Sequence, residues 1–137
     1  MGFDRADLAA RYESYLACCN EHRFDQLGEF VDERVRGSRS VDGLAAYIDG
    51  LKALASAFPD YQWELQDLVI EEGSIAARLV GQGTHTGPFE GIGPTGRRIS
   101  TQELVIYRVA DGKITHCWGD LDPVVRDALA RPARTAA

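Results

Sequence analysis

Apolar side chains in the first half of the chain recur at three- and four-residue intervals, the spacing of one face of an α-helix. The first series comprises Leu8, Tyr12, Tyr15, Leu16 and Cys19, behind a capping aspartate at position 4 or 7. A short second series covers residues 24–31. A third covers residues 44–58 and stops before Pro59, because proline disfavours helical geometry in the preceding residue. These patterns predict three N-terminal helices.

From residue 61 the period changes to that of β-strands. Segments 61–70, 74–84, 98–109 and 113–121 are separated by the turn signals Glu72-Gly73, Gly87-Pro88 and Asp111-Gly112. Segment 35–40 fits either a short strand or an irregular connection, and a short helix is expected from Pro123 to about residue 130. Helices followed by strands predict one α+β domain over residues 1–137, with helices on one face of a curved antiparallel sheet and a cone-shaped cavity between them.

Composition and charge limit the classes of molecule that the protein is expected to bind. The chain has 15 Lys and Arg against 21 Asp and Glu, and a formal charge of −6 repels nucleic acid. No apolar run approaches the ~20 residues that cross a bilayer, and no signal peptide is seen, so we expect a cytoplasmic protein without membrane contact. The three cysteines form no C-x-x-C pair and are expected to be reduced.

The sequence motifs for cofactor and metal binding do not predict such a site here. No Gly-x-Gly-x-x-Gly or Gly-x-Ser-x-Gly segment follows a predicted strand, and no phosphate loop appears, so neither a nucleotide cofactor nor serine hydrolase chemistry is expected. A zinc site made from His85, His116 and Cys117 is also not expected, because His116 and Cys117 are strand neighbours that point in opposite directions.

Three segments resemble the SnoaL-like polyketide cyclases, which have the nuclear-transport-factor-2-like fold. The segments are Phe58-Pro-Asp-Tyr, Gly83-Thr-His-Thr-Gly-Pro-Phe-Glu-Gly-Ile-Gly-Pro-Thr-Gly-Arg and Ile106-Tyr-Arg-Val-Ala-Asp-Gly-Lys-Ile-Thr-His-Cys-Trp. The resemblance covers roughly residues 5–125. It implies a cone-shaped α+β barrel, usually dimeric, that acts on a polyketide without metal or organic cofactor. Relatives with this fold include ketosteroid isomerases, epoxide hydrolases, dehydratases and binding proteins, so fold alone does not define the chemistry.

The Asp111-Gly112 hairpin predicts which residues face the cavity. Pairing of Tyr107 with Thr115 places Glu103, Val105, Tyr107 and Cys117 on one face, and Leu104, Ile106, Ile114, His116 and Trp118 on the other. The family often carries an acidic residue at the position of Val105 and a histidine at that of Cys117. The resemblance therefore implies that the first face lines the pocket, with two of its usual polar positions altered.

Glu103 and His85 are the expected acid/base pair. Cofactor-free ring closure needs a base next to a carbonyl and a donor for the resulting oxyanion, and burial raises the pKa of a carboxyl towards neutrality. A histidine can donate or carry a proton, and His85 is expected to reach Glu103 from the neighbouring strand. The alternatives are a Glu103 that is solvated or paired with Arg97 or Arg98, and a His85 that only fixes the following loop through a backbone hydrogen bond.

Three other residues are candidates for a catalytic role. The resemblance implies that Tyr15 stands where the ketosteroid isomerases have their oxyanion-hole tyrosine, and the alternative is a core tyrosine with its hydroxyl at the rim. The carboxylate base of those isomerases falls near Ser38, which argues against that activity. His116 faces away from the cavity unless a bulge near Gly119 reverses the strand. Asp122 fits either an acidic position of the family or the N-cap of the helix beginning at Pro123. Aromatic wall or core is expected from Trp63, Phe89, Tyr107 and Trp118.

The sequence thus predicts a homodimeric, cofactor-independent cyclase of secondary metabolism that acts on a hydrophobic polyketide-type molecule. Residues expected to bind substrate are Trp63, Phe89, Val105, Tyr107, Cys117 and Trp118. Epoxide opening, isomerisation or dehydration in the same cavity is one alternative. A non-catalytic binding or oligomerisation module is another, favoured by the apolar Val105 and Cys117. Ile106 and Trp118 on the outer face of the sheet offer one dimer contact.

Overall fold

Helices precede strands in the computed structural model, which describes residues 3–37 and 43–131. The α-helices are α1 (Arg5–Asn20), α2 (Leu44–Ala57) and α3 (Leu121–Ala130), and a 3₁₀ helix covers Phe24–Glu29. The strands are β1 (Val31–Gly37), β2 (Gln62–Glu71), β3 (Ser74–Thr84), β4 (Arg98–Ala110) and β5 (Lys113–Trp118). None of the described helices is both long and apolar enough to traverse a lipid bilayer.

The helix ends follow local chemistry. Asp4 caps α1, because its carboxylate accepts from the backbone N–H of Asp7 at 2.8 Å while the Asp7 carboxylate accepts from the backbone N–H of Asp4 at 3.2 Å. The predicted end of α2 before Pro59 is confirmed. The second predicted helix is a 3₁₀ turn that ends at Glu29, and Val31 belongs to β1 instead.

Five strands form one curved, unclosed sheet in the order β1-β5-β4-β3-β2. The four strands from β2 to β5 pair antiparallel, as the sequence predicts. The difference is β1, which pairs parallel with β5 and makes the sheet mixed. The α+β class is confirmed, and register shifts in β2 and in the β4–β5 pair mark bulges, which increase strand twist and bending.

The β4–β5 hairpin corrects the predicted register. Asp111 and Gly112 both have positive φ, 52° and 78°, as a tight two-residue turn requires. Beyond the pair Val109–Ile114 the register shifts, so Tyr107 lies opposite Cys117, and the expected partner Thr115 is bulged out. The predicted outer position of Ile114 is therefore wrong, because the bulge turns this side chain into the core.

The helices cover one face of the sheet and leave the other open. On the described chain, α1 packs against β2, α2 against β1 and α3 against β4. Inward-facing Val105 and Tyr107 are buried, whereas Leu104, Ile106 and Trp118 are exposed on the outer face, as predicted. The fold thus gives β4 one face towards the helices and one away from them.

Candidate functional site

A cavity of about 430 Å³ lies between the inner face of the sheet and helices α1 and α2. Its size falls in the range typical of pockets for small organic molecules. Much of its described wall is apolar and includes Leu16, Cys19, Val35, Leu51, Leu79 and Leu121. The carboxylates among the described lining residues are Asp49, Glu103 and Asp122. The cavity can therefore surround an apolar molecule while presenting acidic groups to it.

Glu103 is the buried carboxylate of this cavity. It lies on β4 opposite Leu79 of β3, and only 7% of it is exposed. Burial raises the pKa of Glu103 to about 7, the indole of Trp63 opposes this shift by donating a hydrogen bond, and the negative charge of Asp120 adds to it. Near neutral pH this carboxyl exists in both protonation states, which suits it to accept and return a proton.

Hydrogen bonds fix both the indole and the backbone of Trp63. Its Nε1–H donates to Oε1 of Glu103 at 3.3 Å. Its backbone is clamped by Asn20 at the end of α1, whose Nδ2 donates to the Trp63 carbonyl at 2.9 Å and whose Oδ1 accepts from the Trp63 N–H at 2.8 Å. Sequence reasoning missed Asn20, because a side chain that completes the backbone pairing of a distant edge strand leaves no local pattern.

Tyrosine hydroxyls meet inside the domain in two pairs. The Tyr15 and Tyr47 oxygens lie 2.5 Å apart, and those of Tyr12 and Tyr107 lie 3.0 Å apart. Tyr15, Tyr47 and Tyr107 all line the cavity. Burial raises the pKa of each of these three phenols well above its usual value, so they stay protonated at neutral pH and remain hydrogen-bond donors. Tyr47 falls within the predicted helix over residues 44–58, and its sequence position alone indicates no role in the site.

Two thiols also face the cavity. Burial raises the pKa of Cys19 and of Cys117 to about 12, although their hydrogen bonds with Tyr15 and Tyr47 respectively lower it. Both are therefore neutral at physiological pH and are weak hydrogen-bonding groups rather than nucleophiles. Cys18 is buried as well, and its thiol donates to the carbonyl of Arg23. Among the described residues, no three His, Cys, Asp or Glu side chains are grouped so as to hold a metal ion.

His85 is not brought to Glu103. It is fully buried beyond the end of β3, stacked on Phe58 with ring centroids 5.1 Å apart, and it is not among the cavity-lining residues. Along β3 it lies six residues beyond the partner of Glu103, about 20 Å at 3.3 Å per residue. The Thr95 backbone N–H donates to Nδ1 of His85 at 3.2 Å, so the side chain fixes the loop between β3 and β4.

Of the other expected site residues, Phe89, His116 and Trp118 lie away from the cavity. Phe89 packs on Phe58. His116 stacks on Trp118, and both side chains lie on the outer face of the sheet. The bulge falls at Thr115, before both residues, so it does not turn either side chain towards the cavity. Ser38 lies outside the described residues.

Asp122 lines the cavity from the first turn of α3. The helix begins at Leu121, two residues earlier than predicted, and its N-cap position is Asp120, so the interpretation of Asp122 as the cap is wrong. Trp63, Tyr107 and Cys117 also line the cavity, and Val105 is buried on the same inner face of β4. The structure thus gathers Tyr15, Trp63, Glu103, Tyr107, Cys117 and Asp122 around one space.

Comparison with known proteins gives the family and related structures. The family model described as SnoaL-like polyketide cyclase matches residues 9–125. A solved SnoaL-like polyketide cyclase from Agrobacterium tumefaciens is 32% identical, covers 90% of this chain and 98% of that one, and gives a TM-score of 0.78. TsrD from Streptomyces laurentii is 28% identical, with a TM-score of 0.84 and coverage of 94% and 98%.

Among curated proteins, a shorter match is found. Aklanonic acid methyl ester cyclase AcmA from Streptomyces galilaeus is 41% identical over 54 residues, which span 38% of this chain and 38% of the relative. This match thus covers well under two thirds of that enzyme. The family model, in contrast, extends from α1 to α3. The chain belongs to the SnoaL-like polyketide cyclase family.

Proposed function

We propose that this protein closes a ring in a hydrophobic polyketide-type molecule, with Glu103 as the base. The observation that carries the proposal is a carboxyl with a pKa near 7 in the wall of a largely apolar cavity. The Glu103 carboxylate removes a proton from a carbon next to a carbonyl. The resulting enolate carbon attacks a second carbonyl of the same molecule, a carbon–carbon bond forms, and the new alkoxide takes up a proton. The product is an isomer of the substrate.

The remaining groups of the cavity support this reaction without a cofactor. The hydrogen-bonded phenols of Tyr15 and Tyr47 act together to stabilise negative charge on the substrate oxygen, since both remain protonated. The apolar wall folds the substrate so that its reacting ends meet, and such proximity lowers the barrier substantially. Asp122 contacts the substrate from the start of α3. His85 and His116 take no part in this reaction, because neither residue lines the cavity.

The first test is turnover of aklanonic acid methyl ester, the compound in the name of the AcmA relative. We expect an isomeric cyclised product, and Glu103→Gln should lower kcat by about 10²–10⁴-fold, the usual contribution of a general base. Glu64→Gln is the matched control, because Glu64 is exposed on β2. A Glu103→Gln variant that cyclises at the wild-type rate would remove Glu103 from the mechanism.

Product analysis separates this proposal from the other reactions. Epoxide opening adds one water to the substrate, dehydration removes one, and isomerisation without ring closure leaves the number of rings unchanged. The buried Val105 and the neutral thiol of Cys117 favour a binding module as the second candidate function, because both stand where the family often carries polar groups. Tight binding of a polyketide ester without any product would support that candidate.

We also propose that two copies pair through the outer face of the sheet. Val69, Ala76, Ile106 and Trp118 are successive cross-strand partners on β2, β3, β4 and β5. Val69, Ile106 and Trp118 are 61%, 52% and 42% exposed, so the row forms an apolar stripe on the open face.

The free cysteines suit a reducing compartment, which supports a cytoplasmic location.

A further inference from the structure

Each of the two tyrosine pairs has one hydroxyl proton that the hydrogen bond within the pair does not use. A pair of hydroxyls holds two protons, and only one of them lies between the two oxygens. The other proton must point to a different acceptor. For the Tyr15–Tyr47 pair, which lines the cavity, that second proton is available to a ligand. The question is which of the two tyrosines presents it.

The two tyrosines of this pair differ in how far they are buried. Tyr15 is 5% exposed on α1, where it is enclosed by the rings of Tyr12, Phe30 and Tyr107. Tyr47 lies on α2 and remains half-buried. Tyr47 is therefore the more accessible of the two tyrosines to a molecule in the cavity.

The Tyr47 hydroxyl also hydrogen-bonds the thiol of Cys117, which lines the same cavity. Burial raises the pKa of Tyr47, the hydrogen bond with Tyr15 opposes this, and the hydrogen bond to the Cys117 thiol adds to it. The same bond lowers the pKa of the Cys117 thiol, as expected when Tyr47 is the donor. A thiol sulfur is a weak acceptor, so exchanging it for a carbonyl or alkoxide oxygen strengthens the hydrogen bond.

We propose that Tyr47 donates the hydrogen bond to the substrate oxygen that becomes negatively charged, and that Tyr15 positions and polarises it. This inference rests on the proposed ring closure and names its oxyanion donor. Cys117 lies opposite Tyr107 on β5, and the Glu103 carboxylate lies beside Gly119, two residues further along the chain. The base and the donor therefore border the same part of the cavity.

The kinetic test is the substitution Tyr47→Phe, which keeps the ring and removes the hydroxyl. With aklanonic acid methyl ester, kcat should fall by about 10²–10³-fold, the usual effect of losing an oxyanion donor, with KM changed only a few-fold. Tyr15→Phe should cause a smaller loss, because it weakens the donor without removing it. Tyr61→Phe is the matched control, since its hydroxyl is bound to Thr101 in the core, away from the lining residues. A larger loss in Tyr15→Phe than in Tyr47→Phe would overturn the assignment.

A binding test keeps the inference separate from the ring-closure proposal. The probe is 1-tetralone, a neutral aryl ketone, and the readout is the infrared stretch of its carbonyl. Wild-type protein should shift this band to lower wavenumber, Tyr47→Phe should abolish the shift, and Glu103→Gln should preserve it. Cys117→Ser should reduce the shift by holding the Tyr47 proton on a stronger acceptor, whereas Cys117→Ala should not. An unshifted band in wild type, or a shift that persists in Tyr47→Phe, would overturn the inference even if Glu103 proves to be the base.

Discussion

Trp63 reaches across β3 to donate its indole N–H to Glu103, 3.3 Å away on β4. Two opposing effects meet at this contact. Burial disfavours the charged carboxylate, and the indole hydrogen bond favours it. The balance raises the pKa of Glu103 to about 7, so the carboxyl is neither permanently charged nor permanently neutral under physiological conditions. This is the property that the proposed chemistry needs from it.

Removing the indole donor should shift this balance. In Trp63→Phe the ring is largely kept, but the carboxylate loses a hydrogen bond, so we expect the pKa of Glu103 to rise above its wild-type value of about 7. The measurement is NMR titration of ¹³C-labelled glutamate side chains. Trp118→Phe changes the other tryptophan, on the outer face, and should leave the titration of Glu103 where it was. A lower pKa in Trp63→Phe would contradict this account of the contact.

Burial of Glu103 should also make folding stability depend on pH. The carboxyl has an ordinary pKa of 4.5 and a folded-state pKa of about 7, so between these values the folded state holds a proton that the unfolded state has lost. The free energy of unfolding should therefore fall as pH rises through this window, by about 3 kcal/mol in total, relative to Glu103→Gln. Urea unfolding of both proteins across the window measures the difference. Equal pH dependence in the two would show that the carboxyl is not desolvated.

His85 should matter for folding rather than for turnover. It is fully buried, stacks on Phe58 and accepts from the Thr95 backbone. Its replacement in His85→Ala leaves a cavity and an unpaired N–H, and should lower the free energy of unfolding by roughly 2–4 kcal/mol. At a temperature where the variant remains folded, kcat should match wild type. A large loss of kcat with unchanged stability would restore His85 to the catalytic set.

The apolar stripe on the outer face should hold two copies together. A charge at its centre, Ile106→Lys, should convert the dimer into a monomer in sedimentation at micromolar concentration, since an unpaired charge is costly to bury. Ser14→Lys adds the same charge on the exposed side of α1 and should remain dimeric. A monomeric wild type, or an Ile106→Lys variant that stays dimeric, would rule out this interface.

Much of the fold could be predicted because its signals are local. The capping aspartate of α1, the proline after α2 and the Asp111-Gly112 turn each act within a few residues, and the structure places all three as expected. The placement of Glu103 on the same face as Val105 and Tyr107 could also be predicted, because it depends only on strand parity along β4, which is regular from Arg98 to Ala110. That this face is the inner one was implied only by the family resemblance.

The parts that sequence reasoning missed depend on distant partners. β1 begins Val31-Asp-Glu-Arg, a charged run with no alternating pattern, and becomes a strand because β5 offers it an edge. The bulge at Thr115 moves Ile114 to the core, although the residues themselves do not mark it. Tyr47 and Asn20 contribute to the site through the way α2 and α1 lie against the sheet.

The pH dependence of kcat/KM for ring closure tests the role of Glu103 most directly. If the ionised carboxyl of Glu103 is the base, kcat/KM should rise tenfold per pH unit below about pH 7 and level off above it, following the free-enzyme pKa. The residual activity of Glu103→Gln should lack this transition. A wild-type profile that is flat from about pH 5 to about pH 9, or a transition that survives in Glu103→Gln, would contradict the account.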